Sequence, residues 1–287
     1  MVDWRALIII GAGRSGTNVL RDCITAVPGW VTWPCDEINL IWRHGNIDQP
    51  NDVFGPDHAR PEVRRFIRKA FDKMGQRENA AIVVEKTCAN ALRVPFVDAV
   101  LPEARYIHLV RDGRDVALSA AKRWTASIEP RYLLKKLRYA PLSDIPHYGK
   151  RFVRNRLQQR KSVDKRQTLW GPVLPDMEVW ARDRPLIDIC ARQWTECVDA
   201  ADAAFANLGD DRVYTLTYEA LVDNPADMLA NLCRWIDSDH PADAAIAAAA
   251  QITRPARDWR DTTDRLTSAS HDIMSGTLAR HGYETSA

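Results

Sequence analysis

The chain has 287 residues, of which 46% are hydrophobic and 27% charged, with a formal net charge of +2 at pH 7. That is enough for one large domain or two small ones, in the composition of an ordinary globular protein. It excludes bulk electrostatic attraction to nucleic acid or a membrane, so any anion binding has to be local.

The six cysteines form no CxxC pair and no disulfide framework, which suits a reducing compartment. The chain runs from Met1 almost directly into an apolar stretch without a signal-peptide pattern, and a cytoplasmic location is expected. That stretch, residues 6–10, is too short to span a membrane and enters the turn Gly11-Ala12-Gly13-Arg14-Ser15-Gly16. Val19, Leu20, Cys23 and Ile24 then recur at helical spacing, giving strand, phosphate loop and helix. Inward-pointing N–H groups of such a turn, with the partial positive charge of the helix start, hold a phosphate.

Three phosphate compounds fit this turn. Gly11, Gly13 and Gly16 spell GxGxxG, and Asp36 and Glu37 follow at the distance of a ribose-binding acid, which points to NAD or FAD. Gly11 and Gly16 also have the spacing of GxxxxGK[ST], but Thr17 stands where the lysine belongs, which argues against an ordinary kinase or ATPase loop. The third reading is a loop holding a 5'-phosphate through hydroxyls and a basic side chain.

Farther along, residues 30–33 read as a short strand, and residues 35–44 as a helix or loop bearing Asp36, Glu37 and His44 at the sheet's carboxyl edge. Residues 45–61 read as a loop and 62–74 as a helix. A buried-type strand at 81–84 ends in Glu85-Lys86-Thr87, and a helix is expected over about 90–100. The strand at 105–110 meets Arg111-Asp112-Gly113-Arg114-Asp115, and a helix runs on through Val116, Ser119 and Ala120. Strands alternating with helices indicate a parallel, doubly wound sheet.

Residues 126–184 interrupt that rhythm with Lys135, Lys136, Arg138, Lys150, Arg151 and further cations interleaved with Tyr, Leu and Phe. They read either as solvated amphipathic helices or as a surface for an acidic acceptor. A helix at 186–208, a strand at 212–216, Tyr218 at its end, a helix from Asn224-Pro225 to Trp235 and a helical tail complete the chain.

Arg14-Ser15-Gly16-Thr17, Val84-Glu85-Lys86-Thr87 and the stretch from Ile107 through Arg111 to Ser119 together resemble the sulfotransferases that use 3'-phosphoadenosine 5'-phosphosulfate (PAPS). Tyr218-Glu219-Ala220-Leu221 is similar to a later segment of that family. The arrangement is more similar to bacterial and tyrosylprotein-type members than to the cytosolic small-molecule type. The resemblance implies an α/β fold, a P-loop-like three-layer sandwich with a central parallel sheet, as a single domain over 1–287 with a basic, helical insert at about 126–184. It implies that Arg14, Ser15, Gly16, Thr17 and Asn18 bind the 5'-phosphosulfate, and that Arg111 and Ser119 grip the 3'-phosphate. Tyr218 would pack on adenine, and Arg257 and Trp259 resemble an element folded over the nucleotide.

The reaction so implied is sulfuryl transfer from PAPS to a hydroxyl, or as a second class an amine, leaving PAP and needing no metal. Glu37 would be the general base, with Asp36 beside it and His44 farther off as alternatives. Lys86 and Arg14 would stabilise the leaving phosphate oxygen. Structural alternatives stand beside these roles: Lys86 pairing with Glu85, Arg111 pairing with Asp112 or Asp115, Tyr218 and Trp259 as core, and Arg93 as an exposed helical arginine. Arg114 reads as a surface or capping residue. The rival functions are a Rossmann-type NAD or FAD oxidoreductase and a non-catalytic nucleotide-binding protein. The acceptor is unknown, with an acidic one suggested by the insert, and neither nucleic acid nor a membrane span is expected.

Overall fold

The structure, a computed structural model, describes residues 4–124, 139, 141–146, 170–239, 242–250, 252 and 259–284. Five strands, β1 (Arg5–Ile10), β2 (Trp30–Val31), β3 (Ile82–Lys86), β4 (Arg105–Val110) and β5 (Val213–Thr217), form a parallel sheet in the order β2-β3-β1-β4-β5. Parallel neighbours need crossover connections, and helices supply them. They are α1 (Thr17–Ile24), α2 (Asn39–Trp42), α3 (Pro61–Glu78), α4 (Val94–Val100), α5 (Gly113–Trp124), α6 (Met177–Trp180) and α7 (Leu186–Phe205), followed after β5 by α8 (Tyr218–Asp223), α9 (Pro225–Ile236), α10 (Asp243–Ala249) and α11 (Ser268–Arg280).

The continuous apolar run of β1 follows from burial on both faces. Ala6, Ile8 and Ile10 join one core with Val63 of α3, Val97 of α4, Val116 of α5, Trp194 of α7 and Met274 of α11. Leu7 and Ile9 point the other way, into a second core with Leu20 of α1, Leu221 of α8, Leu229 of α9 and Ala245 of α10. The fold is thus a three-layer α/β sandwich, with the carboxyl ends of β1, β3 and β4 aligned at one edge.

The strand order decides against the dinucleotide reading. In that fold the ribose-binding acid follows a strand lying next to β1, in the order 3-2-1-4. Here β3 lies between β2 and β1, and Asp36 and Glu37 follow an edge strand.

Some boundaries differ from the sequence expectation for local reasons. Pro95 enters the first turn of α4, so the expected helix over 90–100 divides into a 3-10 turn at Cys88–Leu92 and α4. Asn79, in left-handed conformation with φ 48°, ends α3 later than expected. The second strand keeps only Trp30 and Val31 in register with β3, before Pro34 removes a backbone donor. Of the insert, the basic residues from Lys135 to Lys136, Arg138 and Lys150 to Arg166 lie outside the described residues, as does Arg257. Among the described residues no helix is long and apolar enough to cross a membrane.

Candidate active site

The turn from β1 to α1 is built on two left-handed residues, Arg14 (φ 78°) and Gly16 (φ 91°), and is closed by the Ser15 N–H donating to Ala12 O at 3.2 Å. A Cβ at Gly16 would fall 2.3 Å from Tyr218 Cδ2, so glycine is what lets the Tyr218 ring pack against the loop. Tyr218, 8% exposed, belongs to the core beneath α1, which makes it a brace for the turn.

The turn from β4 to α5 meets this loop. Arg111 Nη1 donates to Arg14 O at 3.3 Å, and Arg14 Nε donates to Ser119 Oγ at 3.1 Å. The Arg111 guanidinium lies 4.5 Å over the Tyr218 ring and pairs with Asp115 at 3.3 Å, one of the two pairings open in the sequence. Trp194 Nε1 holds the turn by donating to Arg111 O at 3.1 Å, and Gly113 makes room for its ring, which a Cβ there would meet at 2.5 Å.

These turns are left with unmet polar groups. Ser15 Oγ, Asn18 Oδ1 and Arg111 Nε are buried without a hydrogen-bond partner among the described residues, each costing roughly 1–3 kcal/mol unless a ligand satisfies it. Arg14 is held below its ordinary arginine pKa by burial and then by the like charges of Arg123 and Arg111. Crowded cations around a hydroxyl-bearing glycine turn have the chemistry to hold an anion.

Lys86 ends β3 beside this loop. Alternation along β3 sends Ile82, Val84 and Lys86 to the α1 face and Glu85 to the opposite one, so the alternative pairing of Lys86 with Glu85 does not form. Lys86 instead donates to Glu37 Oε1 at 3.3 Å, and the Cys88 N–H donates to the same oxygen at 3.3 Å. The Lys86 side chain is 3% exposed and that of Glu37 23%. Burial alone would depress the Lys86 ammonium; the Glu37 carboxylate beside it outweighs that, and its pKa lies above the ordinary lysine value. A carboxylate and an ammonium therefore converge beside a phosphate-type loop, on a fold whose strand order is not that of a dinucleotide enzyme.

A sequence profile of the sulfotransferase family matches residues 6–169 and 175–242. This chain belongs to the sulfotransferase family. Among solved structures this sulfotransferase is similar to STF9 from Mycobacterium avium, at 15% identity and a TM-score of 0.56 over 98% of this chain and 78% of that one. It is also similar to the sulfotransferase domain from the curacin biosynthetic pathway, at 14% identity and a TM-score of 0.52 over 98% of both chains. No curated protein sequence matches. At such identities the structural likeness shows the fold, the family match shows a sulfotransferase enzyme, and the site is argued from its own residues.

The remaining candidates of this sulfotransferase lie at different places. Asp36 is turned toward Arg21, 4.0 Å away, with its side chain 45% exposed. His44 is held by Asp144 at 2.8 Å and stacks on Phe66. Arg93, expected to be exposed, is fully buried at the junction Pro95 creates; it donates to Asn90 Oδ1 at 2.8 Å and to Asn39 Oδ1, and lies 3.6 Å from Asp52. Arg114, read as a surface or capping residue, is also buried, pairing with Asp112 at 2.8 Å and lying 3.7 Å over the Trp259 ring. Trp259 thus packs under α5.

Two supports were given no supporting role by the sequence. Trp170 packs 3.7 Å from the position of a Cβ on Gly13. Glu85, 1% exposed, accepts from Thr87 Oγ1 at 2.5 Å and Asn90 Nδ2 at 2.9 Å; Thr87 Oγ1 in turn accepts from the Ile38 N–H at 3.2 Å, and Asn90 from Arg93, which reaches Asn39. The segment carrying Glu37 is thereby tied to the end of β3 from both sides.

Burial pushes the Glu85 carboxyl up to about 7, from an ordinary 4.5, against the hydrogen bond from Thr87. The folded chain then holds a proton that the unfolded chain releases near pH 4.5, so the stability it contributes is full below about 4.5 and lost as pH rises through about 7. His108, pushed down to about 4 by burial, acts in the opposite sense, and a substitution at Glu85 leaves it in place. Glu85→Gln mimics the neutral acid, so its stability is expected to gain on the parent's as pH rises from about 4.5 to 7. Denaturant unfolding across that range measures the difference; one that stays constant would show that Glu85 does not titrate there.

Proposed function

We propose that this sulfotransferase moves a sulfuryl group from PAPS to an acceptor hydroxyl, with an amine as the second acceptor class. The observation that carries the reading is the convergence of Glu37 and Lys86, 3.3 Å apart, beside the loop of Arg14 to Asn18. Bound PAPS supplies the sulfuryl group and departs as PAP. The hydroxyl of Ser15, the loop N–H groups and Arg14 bind the 5' end, and Arg111 with Ser119 grips the 3'-phosphate, using the buried Arg111 Nε that has no partner among the described residues.

Glu37 orients the acceptor and takes its proton as the new S–O bond forms. Lys86, with Arg14, offsets the negative charge that gathers on the bridging oxygen as its bond to sulfur breaks. Holding both reactants in line between these groups supplies the rest, as in phosphoryl transfer. Glu37 is preferred to Asp36 because it shares an oxygen with Lys86 and the Cys88 N–H, whereas Asp36 leans toward Arg21. Tyr218 braces the loop under this reading. A cytoplasmic setting suits the free cysteines of the described chain.

The test is thermal unfolding with PAP, NAD, FAD and ATP added separately. A ligand at a hundred times its dissociation constant stabilises by about 2.7 kcal/mol. A shift with PAP alone, lost in Arg111→Ala, is expected. A shift with NAD or FAD and none with PAP would overturn the reading, and PAP binding without turnover on any hydroxyl or amine would leave a non-catalytic binding protein.

A further inference from the structure

Beyond Glu37 the same segment walls a second feature. Trp33, four residues before Glu37, and Ile41, four after it, face α3 across a cleft of about 390 Å³, within the roughly 300–1,000 Å³ of small-molecule sites. Its floor is apolar, from Phe66, Ala70 and Met74, and so suits a ligand body without polar groups, which would otherwise lose their water unrepaid. Its outer rim is not. Lys69, Lys73 and Arg77 recur along α3 at one-turn intervals, so they stand in a row on one flank, and all three are exposed.

Arg77 is paired with Glu78 at 2.6 Å. Lys69 and Lys73 have no acidic partner among the described residues, while the neighbouring Arg68, on another flank of the helix, has Glu103. An apolar trough with two unneutralised ammonium groups along one lip is complementary to an apolar chain with an anionic end. Two ammonium groups act as compact point charges, which hold a carboxylate without demanding a bidentate geometry.

We propose that the cleft binds the hydrocarbon chain of an amphiphilic carboxylate, with Lys69 and Lys73 holding the carboxylate.

The experiment is calorimetric titration of the full chain with dodecanoate, dodecanol and dodecylamine below their aggregation limits, in the parent, in Lys69→Glu/Lys73→Glu and in Ala70→Trp. The parent is expected to bind dodecanoate best and dodecylamine least. Charge reversal should weaken dodecanoate at least about tenfold, and dodecanol by less than about twofold. Ala70→Trp, which fills the trough, should abolish binding of both. An unchanged dodecanoate affinity in either variant, or no binding by the parent, would overturn the proposal.

The thermal shift with PAP, measured on the same proteins, separates the two readings. A PAP shift without dodecanoate binding sinks the cleft alone. Dodecanoate binding that obeys the variants, without a PAP shift, sinks the nucleotide reading and leaves the cleft standing.

Discussion

Replacing Glu37 with glutamine is expected to lower turnover by about 10²–10⁴-fold, the usual contribution of a positioned general base, while PAP affinity stays near the parent's. Glutamine keeps the length of the side chain and an oxygen that accepts from Lys86 and the Cys88 N–H, which reach the same Glu37 oxygen at 3.3 Å. What it removes is the capacity to take a proton. Single-turnover kinetics with PAP binding measured in parallel checks this, because a loss confined to the chemical step cannot come from a displaced loop. Asp36→Asn is the companion variant. Its carboxylate leans toward Arg21 with its side chain 45% exposed, so a modest effect is expected. Near-normal activity of Glu37→Gln with a collapse in Asp36→Asn would transfer the base to Asp36.

How far the site was legible depends on how local each part is. Arg14 to Asn18 and Arg111 to Ser119 each occupy one strand-turn-helix, and such a unit carries its own glycine, hydroxyl and cation within a few residues. Their meeting, through Arg14 and Ser119, needed only β1 and β4 to be neighbours, which alternating strands and helices suggest. The strand order was not legible. The choice between dinucleotide and sulfonucleotide readings of one glycine pattern rested in the sequence on Val84-Glu85-Lys86-Thr87 and the stretch from Ile107 to Ser119, and the insertion of β3 between β2 and β1 agrees with it.

Residues misjudged from sequence fail in the same way. Arg93 reads as an exposed helical residue only if the helix is continuous. Pro95 breaks it, and the guanidinium turns inward to Asn39, Asn90 and Asp52. Asp52 is itself fixed from far along the chain, since the Val173 N–H donates to it at 2.9 Å. The alternative ion pair between Glu85 and Lys86 fails for a local reason, since the pleat of β3 places them on opposite faces. The Cys88 N–H that helps hold Glu37 carries no side-chain signature at all.

Lys86→Ala is expected to reduce turnover by about 10²–10³-fold, the scale seen when one group stabilising developing charge is removed, with PAP affinity changing far less. The ammonium is buried beside the Glu37 carboxylate, which keeps it charged despite that burial, so it is a fixed positive charge in a site nearly closed to water. Such a charge matters most when the bridging oxygen acquires its full negative charge, and less against a product already bound by the loop, Arg111 and Ser119. Lys86→Arg should not restore the rate, because the guanidinium fork does not reproduce a compact point charge at this buried position. Equal losses in rate and PAP binding would place Lys86 in nucleotide recognition instead. The double variant Glu37→Gln/Lys86→Ala discriminates further. Because the two side chains touch, their effects should fall short of additivity if base and charge-stabilising group act in one transition state.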